Sequence, residues 1–243
     1  MSEVTPYDDG RGKTDQVRDM FDNIAPAYDR LNRAMSFGLD RRWRRRAVEL
    51  AAQDAPRRIV DIATGTGDFA IALARHIPGA QVTGLDLSAN MVEIGRHKVA
   101  EAGLDDRIEL VTGDCLASPL EDSVADVVTV AFGVRNFADL PAGYAAMRRM
   151  LRPGGRLCVL ELSTPTNPLV RPLYRFYAGG IIPLMGRMVS HDTRAYSYLP
   201  ESIAAVPQGH AMTCLMEEAG FTDASFEPLT FGVCTLYTAI NPS

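Results

Sequence analysis

Apolar residues recur at three- and four-residue steps through Val17, Met20, Phe21, Ile24, Tyr28, Leu31 and Met35. That period predicts an amphipathic helix from about Thr14, and Pro26 within it predicts a break into two. Thr14 or Asp15 is placed to cap the start, and Ser36-Phe37-Gly38 to stop the run. A second helix is expected from Asp40 to Ala52, with Trp43, Ala47, Leu50 and Ala51 on one face. From Arg58 the pattern changes. Short apolar runs at Arg58–Ile62, Gln81–Leu85, Arg107–Leu110, Val124–Ala131 and Arg156–Leu162 read as strands. Helical patterns separate most of them, at Gly67–His76, Ser88–Ala102 and Asp139–Leu151. Ser88 suits an N-cap and Gly103 a stop.

The end of the chain leaves this rhythm. Asn167–Ala205 is rich in aromatics, Pro and Gly and reads as an insertion of short helices, and Pro207–Ala219 is helical again. Thr222–Pro228 and Phe231–Ile240 read as two strands joined by a tight turn. Alternating strands and helices imply an α/β fold, with a mostly parallel sheet covered by helices on both faces. Counting the final antiparallel hairpin, the sheet has seven strands. Residues 1–13 are expected to form a flexible tail and 14–243 a single domain, with a helical cap over 14–52 and an apolar helical insertion over 167–205. Ligands of such folds bind outside the carboxyl ends of the strands.

A chain of 243 residues accommodates one α/β domain with additions. Its net charge of −5 argues against whole-surface contact with nucleic acid, and no nucleic-acid partner is expected. Residues 1–15 lack a signal-peptide pattern, and no apolar run reaches the roughly 18 residues of a membrane span. Cys115, Cys158, Cys214 and Cys234 are far apart and read as reduced thiols, so the cytoplasm is the expected compartment and no metal site is expected. The run Arg41-Arg42-Trp43-Arg44-Arg45-Arg46 reads first as a solvated cationic face, and second as an attraction for anionic headgroups.

The stretch Ile59–Asp68 carries the clearest chemistry. An apolar run ends in Asp61, passes through Ala63, Gly65 and Gly67, and opens into a helix. Small residues let the backbone approach a ligand, and a helix N-terminus presents free N–H groups there. Gly65-x-Gly67-x-x-Ala70 also matches the dinucleotide fingerprint, and Asp86 ends the next strand, where a carboxylate accepts from ribose hydroxyls. NAD and S-adenosylmethionine are both open on that evidence. Asp61 is unwelcome beside a pyrophosphate; it suits a cationic ligand, directly or by bracing the loop. Gly113-Asp114-Cys115 after the third strand is placed to meet an adenine, and Leu151-Arg152-Pro153-Gly154-Gly155 turns into the fifth. With the closing hairpin, these features resemble a class I (Rossmann-like) methyltransferase.

A narrower resemblance rests on Val17–Asp29, Asn32, Ser36-x-Gly38, Trp43-Arg44, Phe132-Gly133-Val134-Arg135-Asn136, Leu160-Glu161-Leu162-Ser163 and Tyr196-x-Tyr198-Leu199-x-x-Ser202-Ile203. Over most of residues 17–240 the chain is similar to the quinone-biosynthesis C-methyltransferases. That resemblance implies S-adenosylmethionine as cofactor and demethylmenaquinol as acceptor, the last step of menaquinone biosynthesis. In some members the ubiquinone precursor is also methylated. It implies cofactor contacts at Thr66, Asp86, Asp114 and Cys115, to which the reading of the turn adds Asp61 and Gly65. Three departures are visible: Thr64 where Gly is usual, Ala131 where Ser is usual, and Cys115-Leu116-Ala117 after Asp114.

The implied reaction needs a deprotonated quinol, because an oxidised quinone is too electron-poor to attack a sulfonium. Arg135 is the first candidate to stabilise the phenolate, and Tyr28 joins it as a catalytic candidate. The plain alternatives are an Arg135–Asp139 pair holding the loop, and Tyr28 as core. Asn136, Tyr177 and Tyr198 are expected at the substrate, and a histidine base is open only through His191 or His210. A polyprenylated naphthoquinol lives in the membrane. Leu169, Val170, Leu173, Phe176, Tyr177, Ile181, Ile182, Leu184, Met185 and Met188 offer either a packed lid or a tunnel and membrane-facing patch for its tail. Peripheral contact with the inner face of the cytoplasmic membrane is expected, and a homodimer is left open. Rival readings are an NAD-dependent oxidoreductase, a methyltransferase for a soluble phenol, and a cofactor-binding module without turnover.

Overall fold

The computed structural model describes residues 4–7, 9–181 and 193–243. The expected helical run is broken as Pro26 requires: α1 (Lys13–Ile24), a 3-10 turn over Ala25–Ala27, then α2 (Tyr28–Met35). α1 begins after Gly12 with no side-chain cap, so neither Thr14 nor Asp15 caps it. α3 (Leu39–Ala51) buries Trp43, Ala47, Val48 and Ala51, and the Trp43 Nε1 donates to Thr230 Oγ1 at 2.8 Å.

The sheet follows: β1 (Arg58–Ile62), α4 (Asp68–His76), β2 (Gln81–Asp86), α5 (Ala89–Glu101), β3 (Ile108–Thr112), β4 (Ala125–Ala131), α6 (Leu140–Met150) and β5 (Leu151–Leu162). After β5 come α7 (Val170–Phe176) with a π-turn over Tyr177–Ile181, α8 (Thr193–Ala205), α9 (His210–Glu218), β6 (Thr222–Leu229) and β7 (Cys234–Ile240). Ile182, Leu184, Met185, Met188 and His191 lie outside the described residues. Seven strands pair in the order β3-β2-β1-β4-β5-β7-β6, with β7 antiparallel to both its neighbours and the rest parallel.

Alternation along the strands sends side chains to two cores. Ile59, Val127, Cys158 and Leu160 face α3 and α4, whereas Val60, Val128, Leu157 and Val159 face α6 and α9. Helices thus cover both faces. Among the boundaries that differ from the sequence reading, those of β5 and β7 have clear causes. β5 starts at Leu151 because the Arg152–Gly155 turn is absorbed by a bulge opposite Ala125 and Val127. The hairpin turn is a 3-10 segment, Thr230–Gly232, so β7 starts at Cys234. The chain runs outward from β1 to β3, then returns to β4, so the switch point lies between β1 and β4.

Candidate active site

At the carboxyl end of β1 the turn needs unusual backbone. Ala63, Gly65 and Gly67 have φ of 52°, 56° and 77°. A Cβ on Gly65 would meet only the Tyr28 ring, 4.0 Å away, so it would project into the cleft. Asp61 is buried and never reaches that cleft. Its two oxygens accept from Thr64 Oγ1 (2.7 Å) and Thr129 Oγ1 (2.6 Å), tying the turn to β4. Burial pushes its pKa up to about 6, against the two hydroxyl bonds. Of its two expected roles, bracing is the one the geometry provides.

Asp86 lines the cleft and also holds the turn. Oδ2 accepts from the Gly65 N–H at 2.7 Å and Oδ1 from the Ser88 N–H at 2.9 Å. Burial raises its pKa to about 6 as well, opposed by those two N–H groups. Each carboxylate oxygen keeps a lone pair for a ligand hydroxyl. Thr66 is engaged within the protein. Its hydroxyl donates to Asp29 Oδ1 at 2.6 Å and accepts from Lys98 Nζ at 3.1 Å, so its side chain is spent on joining α2 and α5 beneath the turn. Lys98 also pairs with Asp29 Oδ2 at 2.6 Å and with Asp68.

The cleft, about 720 Å³, is bounded by Gly65, Asp86, Asp114, Cys115, Tyr28 and Asn136. Asp114 Oδ1 accepts from the Leu116 N–H at 2.9 Å, which shapes the loop after β3. Burial pushes the Cys115 thiol up to about 12, so it is an apolar wall and not a nucleophile.

Beyond β4, Phe132 has φ 61°, and a Cβ on Gly133 would lie 2.5 Å from that of Ala63. This tight passage sets the 3-10 turn Val134–Asn136 against the carboxyl end of β5. Arg135 is buried there. Its Nη1 donates to Glu161 Oε1 at 2.7 Å and to the Phe132 carbonyl, and its backbone N–H donates to Glu161 Oε2 at 3.2 Å. Glu161 Oε1 also takes the Leu162 N–H at 2.8 Å. The Arg135–Asp139 alternative is overturned, because Asp139 caps α6 by accepting from the Ala142 N–H at 2.9 Å. Burial opposes the Arg135 charge, but Glu161 and the Tyr28 and Tyr198 phenols raise its pKa on balance.

Two cavities lie behind the cleft, about 440 Å³ and 630 Å³, and Tyr28 and Arg135 border both. Tyr198 and Asn136 line the smaller; Trp43, Tyr174 and Tyr177 line the larger. The Tyr177 hydroxyl donates to the Met35 carbonyl. Asn136 Oδ1 is buried with no partner among the described residues, an acceptor left available at the junction. Burial raises the Tyr28 pKa, against Arg135 and a bond to Asn32, so the phenol stays protonated at neutral pH. His210 stacks edge-on against Phe226 with ring centroids 5.1 Å apart, and it borders none of these three spaces. Sequence reasoning assigned no role to Glu161, Asp29 or Lys98. The signal for Glu161 was a lone carboxylate ending an apolar strand, as Asp61 does in β1.

The family profile described as the ubiE/COQ5 methyltransferase family matches residues 10–241. The chain belongs to that family. It is 45% identical over 236 residues to a demethylmenaquinone methyltransferase of Bacteroides fragilis, covering 97% of this chain and 96% of that one. It is 46% identical to the demethylmenaquinone methyltransferase of Thermus thermophilus, covering 92% of this chain and 100% of that one. Among solved structures, a Haloferax volcanii methyltransferase in complex with its activator superposes with a TM-score of 0.66 at 19% identity, covering 92% of this chain and 98% of that one. That likeness is one of fold.

Proposed function

We infer that the protein transfers a methyl group from S-adenosylmethionine to a ring carbon of demethylmenaquinol, giving menaquinol. The family makes the chain an S-adenosylmethionine-dependent C-methyltransferase. The observation that carries the acceptor is the junction itself: Arg135, Tyr28 and the unpartnered Asn136 Oδ1 meet where the cleft adjoins two largely apolar cavities.

The residues present fit the cofactor. The open face of Gly65 leaves room that a Cβ would fill, and Asp86 has acceptor capacity left on both oxygens. Asp86, the Gly65 turn, Asp114 and Cys115 would hold it, with Asp61 bracing the turn from behind. When bound, it supplies a methyl on a sulfonium, which a ring carbon accepts as the C–S bond breaks with its electron pair kept by sulfur.

The chain's own residues govern the acceptor. The Arg135 guanidinium stabilises as phenolate a quinol hydroxyl whose proton passes to solvent and returns after transfer, and the phenolate raises electron density on the neighbouring ring carbon. Arg135 stays charged, so it is not the base. Asn136 Oδ1 accepts from the other ring hydroxyl and fixes the ring's orientation. Tyr28, protonated, donates to the developing oxyanion. The ring proton leaves to solvent and aromaticity returns. The polyprenyl tail occupies the larger cavity between Trp43, Tyr174 and Tyr177, and its origin in the bilayer makes peripheral membrane contact part of this reading.

The test is single-turnover transfer from labelled S-adenosylmethionine to reduced demethylmenaquinol. Arg135→Ala should slow it by about a hundredfold or more with cofactor affinity unchanged. Arg135→Lys, which keeps the charge and loses the fork, should fall between. Wild-type rates in both variants would make Arg135 structural.

A further inference from the structure

Two exposed phenylalanines sit in backbone conformations that phenylalanine avoids. Phe37 has φ 51° and is 77% exposed; Phe231 has φ 57° and is 76% exposed. Thr230, Phe231 and Gly232 are consecutive residues with positive φ, as are Phe37 and Gly38. A bulky side chain in the left-handed region is strained, and burial does not repay the strain here. Glycine would suit either position better in the isolated protein. Strain of this kind, held on the surface, points to contact with something outside the chain.

The two are neighbours of one face. α3 starts just after Phe37, and its Trp43 bonds Thr230 beside Phe231. Gly232 packs near Pro165, which leads to α7, and the Phe37 ring lies 5.6 Å from that of Tyr177 at the far end of α7. On α7 and just before it, Leu169, Leu173 and Phe176 are exposed. Arg42 lines a surface pocket with Phe231 beside the Arg46–Glu227 pair, Arg41 and Arg45 lie on the same helix, and Arg171 and Arg175 lie on α7; these five arginines are exposed and without an ion pair among the described residues. In a chain of net charge −5, this is a local excess of cations. Ser36, Tyr177 and Val233, next to Phe37, Phe176 and Gly232, border the larger cavity, so the face surrounds that cavity's mouth.

We propose that this face docks on an anionic bilayer, with Phe37, Phe231 and the α7 side chains entering the interface and the arginines meeting lipid phosphates. Charge decides for lipid over a second copy. A two-fold contact would set the same arginines against each other, whereas phosphates complement them. Apolar tips ringed by cations are the chemistry of an interfacial anchor. The inference rests on the acceptor being a polyprenylated quinol, whose tail would pass from the bilayer into the cavity without crossing water.

Sedimentation with vesicles tests it. Wild-type protein should bind phosphatidylcholine vesicles containing phosphatidylglycerol at least about tenfold more tightly than phosphatidylcholine alone, and raised salt should weaken that preference. Phe37→Gly with Phe231→Gly should lose vesicle binding by about tenfold or more, while the melting temperature holds or rises because strain is relieved. Arg41→Gln, Arg42→Gln and Arg45→Gln together should abolish the phosphatidylglycerol preference. Transfer to a tail-less naphthoquinol in solution should be unchanged in both sets. Wild-type protein that ignores all vesicles, or a glycine variant that binds them normally, overturns the proposal. A variant whose only change is in oligomeric state, read by sedimentation velocity, overturns it in favour of a protein interface. If wild-type protein binds vesicles but methylates no quinol, the functional reading fails and the docking surface stands.

Discussion

Glu161→Gln separates a buried charge pair from a merely well-packed one. The side chain keeps its shape and loses its charge, while Arg135 stays buried and charged. Glu161 accepts three N–H groups: Arg135 Nη1 and the Leu162 N–H on Oε1, and the Arg135 N–H on Oε2. A glutamine can serve Oε1's two donors with its carbonyl, but then its NH2 faces the Arg135 N–H. Turned over, it leaves two donors unmet. An unsatisfied buried donor costs about 1–3 kcal/mol. An unneutralised arginine adds to that, and breaking one side of a buried pair typically costs about 3–5 kcal/mol in all. We expect Glu161→Gln to destabilise the fold by about 3 kcal/mol.

The assay is urea denaturation of a double-mutant cycle with Arg135→Met. Removing both charges should recover part of the loss, so the double variant should be more stable than Glu161→Gln alone. The coupling should exceed about 1 kcal/mol. If the two substitutions add to within about 0.5 kcal/mol, the carboxylate does not hold the guanidinium. Kinetics gives an independent check. Because Glu161 acts on the acceptor only through Arg135, Glu161→Gln should lower the transfer rate while leaving S-adenosylhomocysteine affinity unchanged by calorimetry.

Other outcomes follow from the turn and the cap. Asp61 has a folded pKa of about 6 against 3.8 unfolded, so the folded state binds the extra proton between those values, and stability falls as pH rises through that window. Asp61→Asn should remove about 3 kcal/mol of that decline in denaturation profiles from pH 4 to 7, since the Thr64 and Thr129 hydroxyls can rotate to meet an amide; an unchanged profile would place the titration elsewhere. Gly65→Ala should weaken S-adenosylhomocysteine by about tenfold or more in calorimetry, because φ is 56° and the Cβ would enter the cleft. Thr66→Val should leave cofactor affinity within about threefold and instead speed limited proteolysis of residues 13–35, since its hydroxyl joins Asp29 to Lys98. A large affinity loss there would restore the cofactor role that the sequence suggests. Tyr28→Phe should slow single-turnover transfer by about tenfold without loosening the cofactor.

What was legible in the sequence was local. The strands and the two-sided core follow from short runs such as Ile59-Val60 or Leu157-Cys158-Val159-Leu160, apolar at every position as strands buried on both faces are. The Ser88 cap, the Pro26 break and the Gly103 stop are local as well, and each is present. What was not legible depends on partners far along the chain. Arg135 meets Glu161, 26 residues away, and Asp139 at the nearer spacing is consumed as a cap. Thr66 fits the glycine motif by spacing, but spacing fixes the backbone and not the direction of a rotamer. Phe37 and Phe231 gave no sign of left-handed backbone, because that region is read from Gly, Asn and Asp and not from Phe.

The polar residues of the turn therefore divide by job in a way the motif conceals. Asp61, Thr64 and Thr66 all bond to protein, and among them they fix β1 to β4 and the turn to α2 and α5. Asp86 does this and faces the cleft as well. The groups left for an acceptor come instead from the turn after β4 and from α2. Tyr28 is the link, since it faces the open side of Gly65 and borders both cavities. Asp29, its neighbour on α2, is tied through Thr66 and Lys98 to the same turn. A displacement of α2 would thus act mainly on the acceptor cavities, both of which Tyr28 borders, so Thr66→Val should raise the KM for quinol and the proteolysis rate in parallel while cofactor affinity holds, a correlation that a direct cofactor contact at Thr66 would not produce.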